Sequence, residues 1–388
     1  MVDWGMEKVE NINAERIRWC CDDRGISLDE LCAEVKIAES TMAGVMAGEK
    51  GLTFKQLQVV AAYFNRGVLF FLAPGPVQEQ VVRSPQFRTL SNQKPELTGK
   101  VKEIIERTER QRERYLGLLE ELNESPEPFI PANVKWAHPG AAADWMRERL
   151  GLTEKNTFAT YREAVEALGV LVFRSNGYAG AWQIPKQSTV AGFSLYHEVC
   201  PVVFVRKQPF EARQTFTLFH ELGHLLLHRD SFIDDDGDLL SHARKEVEAN
   251  AFAGLVLVPD FLLARIPLAN KPPQAAAFDE WLEDYRKAWG VSAEVILRRL
   301  ADSGKIPQRD YEAYRRYNAG RGMPVKPRES GSREWRYREP VHLFGTMFVK
   351  TVFDALNTQH IPLTRATRYL DGLKVKDLHQ LEAHYAHV

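Results

Sequence analysis

Residues 220–224 read His220-Glu221-Leu222-Gly223-His224, inside an amphipathic apolar run over residues 216–228. Two imidazoles at i and i+4 fall on one face of a helix, close enough to hold one metal ion. Glu221 lies about 100° round the helix from His220, so its carboxylate can reach a water on the metal instead of the metal itself. Zinc lowers the pKa of such a water to about 7. Glu221 would then take the proton as the water attacks a carbonyl. The string HExxH alone is a weak signal and needs a third ligand.

That ligand is sought downstream. Glu246-Val247-Glu248-Ala249-Asn250 opens a second helix-like run that Pro259 stops. Glu246 and Asn250 are again i and i+4. Glu246 is placed on the metal, and Asn250 behind it, hydrogen-bonding one of the ligand histidines to fix its tautomer. Glu248, about 200° round the helix from Glu246, is the alternative ligand. Two histidines and one carboxylate leave the fourth position to water, as in a catalytic site; a structural site would close all four. The competing reading is a core helix with two satisfied histidines. The longer zinc layout HExxHxxGxxH fails, because Leu227 and Asp230 stand at its Gly and last His positions. His228, one turn beyond His224, is expected to be a cation at the helix C-terminus rather than part of the cleft.

The stretch Arg213-Gln214-Thr215-Phe216-Thr217-Leu218-Phe219-His220-Glu221-Leu222-Gly223-His224, with Glu246-Val247-Glu248-Ala249-Asn250-Ala251-Phe252-Ala253 and the apolar run to Pro259, resembles the ImmA/IrrE metallopeptidases over roughly residues 130–265. The resemblance implies a site-specific endopeptidase of bacteria, phages or mobile elements that cleaves a repressor. Its E-x-x-A-N spacing supports Glu246 as third ligand. The cofactor is expected to be Zn2+, with Mn2+ tolerated by the same ligand set.

The chain has 388 residues, enough for two or three domains, and is 44% apolar with a formal charge of −1. Overall charge therefore neither recruits nor excludes nucleic acid. The four cysteines, Cys20, Cys21, Cys32 and Cys200, form no C-x-x-C pair, so reduced thiols in a cytoplasmic protein are expected. No signal peptide is visible, and no apolar run nears the ~20 residues needed to span a bilayer, so no membrane role is expected.

These residues need elements to position them. The fold class expected is mainly α with a small β-sheet (α+β): an N-terminal five-helix helix-turn-helix domain, a zincin-like peptidase domain and a C-terminal helical module. Residues 1–76 carry short apolar-periodic segments: Ile12, Ile17 and Trp19; then Leu28, Leu31 and Val35 after a Ser27 cap; then residues 39–48; then Phe54, Leu57, Val60 and Phe64 after a Thr53 cap. The segment resembles the XRE (lambda-repressor-like) domain over about residues 12–72. Its departure lies in the recognition helix. Residues 38–48 offer only Glu39, Ser40 and Thr41 as polar groups, with no cation before Lys50. Those four residues are the candidate DNA contacts, and weak operator binding that needs a homodimer is the expectation. The other reading keeps this domain for dimerisation or protein contact.

Residues 77–129 read as a linker containing a helix over 98–124. Its stripe of Val101, Ile104, Ile105, Tyr115, Leu118, Leu119 and Leu122 suits a dimer seam or a helix packed on the peptidase, and Thr108, Gln111 and Arg112 interrupting it favour packing. The peptidase domain spans 130–268, with helices over 141–150 and 160–168 and strands over 170–173, 190–195 and 202–205. The run Asp234-Asp235-Asp236-Gly237-Asp238 fails as a calcium loop, since Phe232 and Ala243 would hold its first and last ligand positions. A mobile acidic loop beside the cleft is expected instead. A helical appendage over 269–320, a linker over 321–340 and a helical module over 341–388, read as a partner-docking unit, complete the chain.

Two functions compete. One is a zinc-dependent endopeptidase coupled to a regulator domain, acting on a partner repressor or toxin protein. The other, implied by the pairing of an XRE-like with an ImmA/IrrE-like segment, is an antitoxin-like regulator of a toxin–antitoxin or phage-type operon, with dispensable peptidase chemistry.

Overall fold

The structure, a computed structural model, describes residues 8–78, 83–94, 96–130, 135–153, 155–177, 180–235, 243–320 and 333–386. The chain forms two compact units, Met1–Ile105 and Glu106–Val388. It is mainly helical with two small sheets.

In the first unit, α1 (Ala14–Arg24), α2 (Leu28–Val35), α3 (Glu39–Met46) and α4 (Phe54–Tyr63) are followed by a 3-10 turn, Val68–Phe71. Ser27 with Glu30 and Thr53 with Gln56 form capping boxes that satisfy the first amides of α2 and α4. α1 stops at Gly25, where φ is 64°, and α2 stops at Lys36, also left-handed, which gives the tight turn into α3. Ile17, Leu31, Val45, Leu57, Val60 and Phe71 fill the core. β1 (Lys8–Val9) pairs antiparallel with β2 (Leu52–Thr53). Asn13 Nδ2 donates to Ala73 O and Gly75 O, fastening the Pro74-Gly75-Pro76 segment to the start of α1.

After α5 (Pro85–Gln93), α6 (Gly99–Glu121) begins in the first unit and ends in the second. The polar residues that interrupt its apolar stripe are themselves buried. Gln111 Nε2 donates to Tyr369 O at 2.7 Å, and Arg112 donates to Cys200 O and Val199 O, each at 2.9 Å. Tyr115 stacks on Phe348. In this part of its length α6 packs within its own chain.

The second unit is built on a four-stranded sheet in the order β3-β5-β4-β6. β3 (Leu171–Arg174) runs parallel to β5 (Val202–Val205), and β4 (Val190–Leu195) is antiparallel to both β5 and β6 (Phe232–Asp235). Three of these strands lie within a residue of the apolar runs read from sequence; β6 was not expected. Helices α7 (Pro139–Leu150), α8 (Phe158–Glu166), α9 (Glu211–Gly223), α10 (Arg244–Leu257), α11 (Ala293–Asp302) and α12 (Gln308–Gly320) accompany the sheet, with α8 against β3 and α9 against β4 and β5. Leu218, Phe219 and Leu222 of α9 meet Phe252, Ala253 and Val256 of α10 in a common core.

The C-terminal segment falls within this second unit. Helix α13 (Glu339–Asn357) lays Phe344 and Phe348 edge-on against Phe173 of β3. A buried Arg162–Glu166 pair anchors it: Arg162 donates to the Val341 and His342 carbonyls, and Glu166 accepts from Met347 N. Gly345 interrupts α13 at φ 84°, and a Cβ there would lie 1.7 Å from Glu166 Oε1, so only glycine fits. The linker read over 321–340 falls for its residues 321–332 outside the described residues. No helix among the described residues is long and apolar enough to cross a membrane.

Candidate metal centre

Helix α9 does not simply run on through the apolar stretch. It ends at Gly223 and passes into a π-helical turn, His224–His228, closed by Arg229 in the left-handed region. Such wide turns insert where a side chain must be re-aimed, frequently at functional sites. His220 and His224 are fully buried, and their Nε2 atoms point at each other across 3.1 Å.

Each ring is oriented from behind. His220 Nδ1 lies 3.1 Å from Asn250 Oδ1. His224 Nδ1 lies 3.0 Å from His228 Nδ1, and His228 Nε2 lies 3.2 Å from Glu248 Oε2, which is paired in turn with Arg244. An acceptor at the far end of each chain puts the protons on the Nδ1 atoms of His220 and His224. Both Nε2 lone pairs are then left facing the same point. His228 is therefore not the helix-terminal cation expected from sequence: burial, then the neighbouring His224, holds its pKa below the usual value. Glu248, the alternative ligand, faces His228 and not the two Nε2 atoms.

Glu246 comes from the first turn of α10, where the helix dipole favours a carboxylate. Its Oε2 lies 3.2 Å from His220 Nε2 and 3.6 Å from His224 Nε2. A fourth group joins them. Asp234 Oδ2, from β6, lies 3.2 Å from His220 Nε2 and 3.4 Å from His224 Nε2. The four donor atoms all fall within 4.8 Å of one another. Asp234 is buried on a strand, not part of the acidic loop expected there; residues 236–238 of that run lie outside the described residues. The missed signal was alternation. Phe232 and Asp234 share one strand face, and Phe232 stacks on the His224 ring with centroids 3.9 Å apart.

The general-base candidate sits beside this cluster. Glu221 is fully buried, and neither of its carboxylate oxygens has a hydrogen-bond partner. It lies over Gly192 of β4: a Cβ on Gly192 would stand 3.0 Å from Glu221 Oε1. Gly192 is opposite Asp234 in the ladder, next to a bulge at Ala191. A bulge re-aims side chains in this way.

The electrostatics follow from three carboxylates around two imidazoles. Burial, reinforced by Asp234 and Glu246, raises the Glu221 pKa well above the ordinary value. Burial opposes charge on His220, but the Asp234 and Glu246 carboxylates outweigh it and push its pKa up to about 9. Burial also works against ionised Asp234 and Glu246, yet the two histidines hold both pKa values down.

This donor set fits a divalent cation. Asp234 Oδ2 and Glu246 Oε2 are buried, take no well-formed hydrogen bond and converge with two imidazole nitrogens. Buried carboxylate oxygens without donors are costly unless a cation meets them.

The candidate DNA contacts lie far along the chain in the first unit. Glu39, Ser40 and Lys50 are exposed and Thr41 is half-buried, while the Lys50 stem packs over Gly44. The outward residues of α3 are Glu39, Ser40, Ala43 and, just past its end, Ala47, none of them a cation.

No curated protein matches the chain. Residues 165–301, which contain all the residues of the metal centre, match the Peptidase_M78 family model, described as an IrrE N-terminal-like domain. The match begins later and runs further than the stretch over which the sequence resembles ImmA/IrrE, and it does not reach the first unit. It supports the reading of this stretch as a metallopeptidase-like domain of ImmA/IrrE type.

Proposed function

We propose that the second unit is a divalent-metal-dependent endopeptidase, with zinc as the expected ion and manganese the other that the ligand set admits. The observation that carries this reading is the convergence of His220, His224 and Glu246 beside an unpartnered, buried Glu221. A bound ion supplies Lewis acidity, polarising a peptide carbonyl and making water acidic near neutral pH. The chain does the rest. His220 and His224 are held in the metal-binding tautomer by Asn250 and by the His228–Glu248 pair. Glu221 accepts the proton of the attacking water. The water oxygen bonds to the carbonyl carbon, the C–N bond breaks, and Glu221 returns the proton to the leaving amine nitrogen. The first unit would act as a regulator domain, meeting operator DNA weakly and as a homodimer. The substrate would be a partner repressor or toxin, as the ImmA/IrrE resemblance implies.

The test is Glu221→Gln in the full chain. Metal content should be unchanged, while cleavage of the natural partner falls by about 10²–10⁴-fold, the usual contribution of a general base. Cleavage at the wild-type rate would refute the mechanism. A second reading, an antitoxin-like regulator that binds its partner without cutting it, is favoured by one observation: Asp234 joins His220, His224 and Glu246 as a fourth protein donor, where an open site has three. Wild type that neutralises its partner with no cleavage under any metal would establish that reading instead.

A further inference from the structure

An open hydrolytic site uses three protein ligands and leaves the fourth position to water. Here four protein donors surround one point. Ligands at about 2.0–2.2 Å at the corners of a tetrahedron stand about 3.3–3.6 Å apart. Of the six separations among the four atoms, five are 3.1 Å between the two Nε2 atoms, 3.2 and 3.4 Å to Asp234 Oδ2, and 3.2 and 3.6 Å to Glu246 Oε2, and all four atoms lie within 4.8 Å of one another. Asp234 Oδ2 therefore sits at tetrahedral ligand distance from both histidines, on equal terms with Glu246.

An outer role for Asp234, orienting a histidine from behind, is ruled out by occupancy. The Nδ1 atoms already face Asn250 and His228. Asp234 instead faces the Nε2 atoms, the ligand side. The fold places it there by three features: β6 is the last strand in the order, Phe232 packs on His224, and the irregular register opposite Gly192 turns Asp234 toward the cluster.

We propose that Asp234 is a fourth protein ligand, so that the resting centre is a closed His220–His224–Asp234–Glu246 site, latent until Asp234 gives up its position to water or a substrate carbonyl. This rests on the endopeptidase reading and adds its regulation.

The test loads the full chain with Co2+ alone and compares wild type with Asp234→Asn and Asp234→Ala. A tetrahedral field has no inversion centre, so a four-coordinate Co2+ site absorbs strongly in the visible region, and geometry is read directly. Wild type should bind one ion per chain with an intense spectrum that acetohydroxamate leaves unchanged. Both variants should still take up one ion, with affinity lowered by at least the roughly 10–100-fold that loss of an outer-sphere partner costs. Their spectra should now shift with acetohydroxamate, which enters the vacated position. The near-isosteric Asn variant keeps the test decisive where Ala disturbs folding. The proposal is overturned if wild type responds to acetohydroxamate as the variants do, or if the variants match wild type in affinity and spectrum. Glu246→Gln and His220→Ala separate the two levels of the argument. Full Co2+ binding by both would remove the metal centre itself. Their loss of binding alongside unaltered Asp234 variants would remove only the closed state.

Discussion

Replacing Gly192 by alanine tests whether Glu221 is held where it can act on a water. The added Cβ would lie 2.7 Å from Thr217 Cγ2, 2.9 Å from the Phe204 carbonyl oxygen and 3.0 Å from Glu221 Oε1. The carbonyl belongs to the neighbouring strand, and Thr217 is buried in α9, so neither can retreat far. Glu221, whose oxygens have no partner to hold them, is the group free to move. Overpacking of this kind costs about 1–3 kcal/mol, and a misplacement near 1 Å costs about 100-fold in rate. The expected result is a kcat about 10–100-fold below wild type with KM little changed, and a melting temperature lower by a few degrees. Metal content should stay at one ion per chain, because the three atoms nearest the added methyl belong to Thr217, Phe204 and Glu221, none of them a metal ligand. Hydrolysis of the natural partner, metal analysis and thermal unfolding on one preparation give all three. A variant that loses the stability but keeps the wild-type kcat would show that Glu221 is not the base, or that this wall does not position it.

The metal-free chain should lose stability as pH rises. The His220 pKa is raised from 6.5 to about 9 in the folded state, so its contribution is complete below 6.5 and disappears as pH passes 9. Glu221, also raised, acts with the same sign, while Asp234 and Glu246, both lowered, lose their contributions only in acid. At 1.36 kcal/mol per unit, the 2.5-unit difference for His220 (9 − 6.5) is about 3 kcal/mol. Added zinc should reverse the trend by replacing the proton, and urea unfolding in chelator across pH 6.5–9 that shows no slope would contradict the scheme. Glu248→Ala should lower metal affinity by about 10–100-fold without changing stoichiometry, since it frees His228 behind His224. Loss of the ion altogether on competition titration would instead make Glu248 a ligand.

The parts of the site written on helices were legible in the chain. His220 with His224, and Glu246 with Asn250, are each one helical turn apart, and periodicity alone places each pair on one face. The strands β3, β4 and β5 could be read from the β-branched and aromatic content of their runs. What escaped depends on contacts between segments. Arg162 and Glu166, at i and i+4, have the spacing of a solvated surface pair, yet they are buried and hold the C-terminal helix by its carbonyl and amide groups. His228 has the position of a terminal cation, but the π-helical turn brings it against His224.

Asp234 escaped for a related reason. Its neighbours in the sequence are acids, and local composition there reads as loop. Its role is set by pairing with Gly192, more than forty residues earlier, and by the register irregularity at that point. A metal centre assembled from two helices can be found by counting turns. A ligand contributed by an edge strand is fixed only when that strand finds its partner. The choice between an open site and a closed one therefore lay in β-sheet register, the one quantity that the spacing of histidines and glutamates along the helices does not contain.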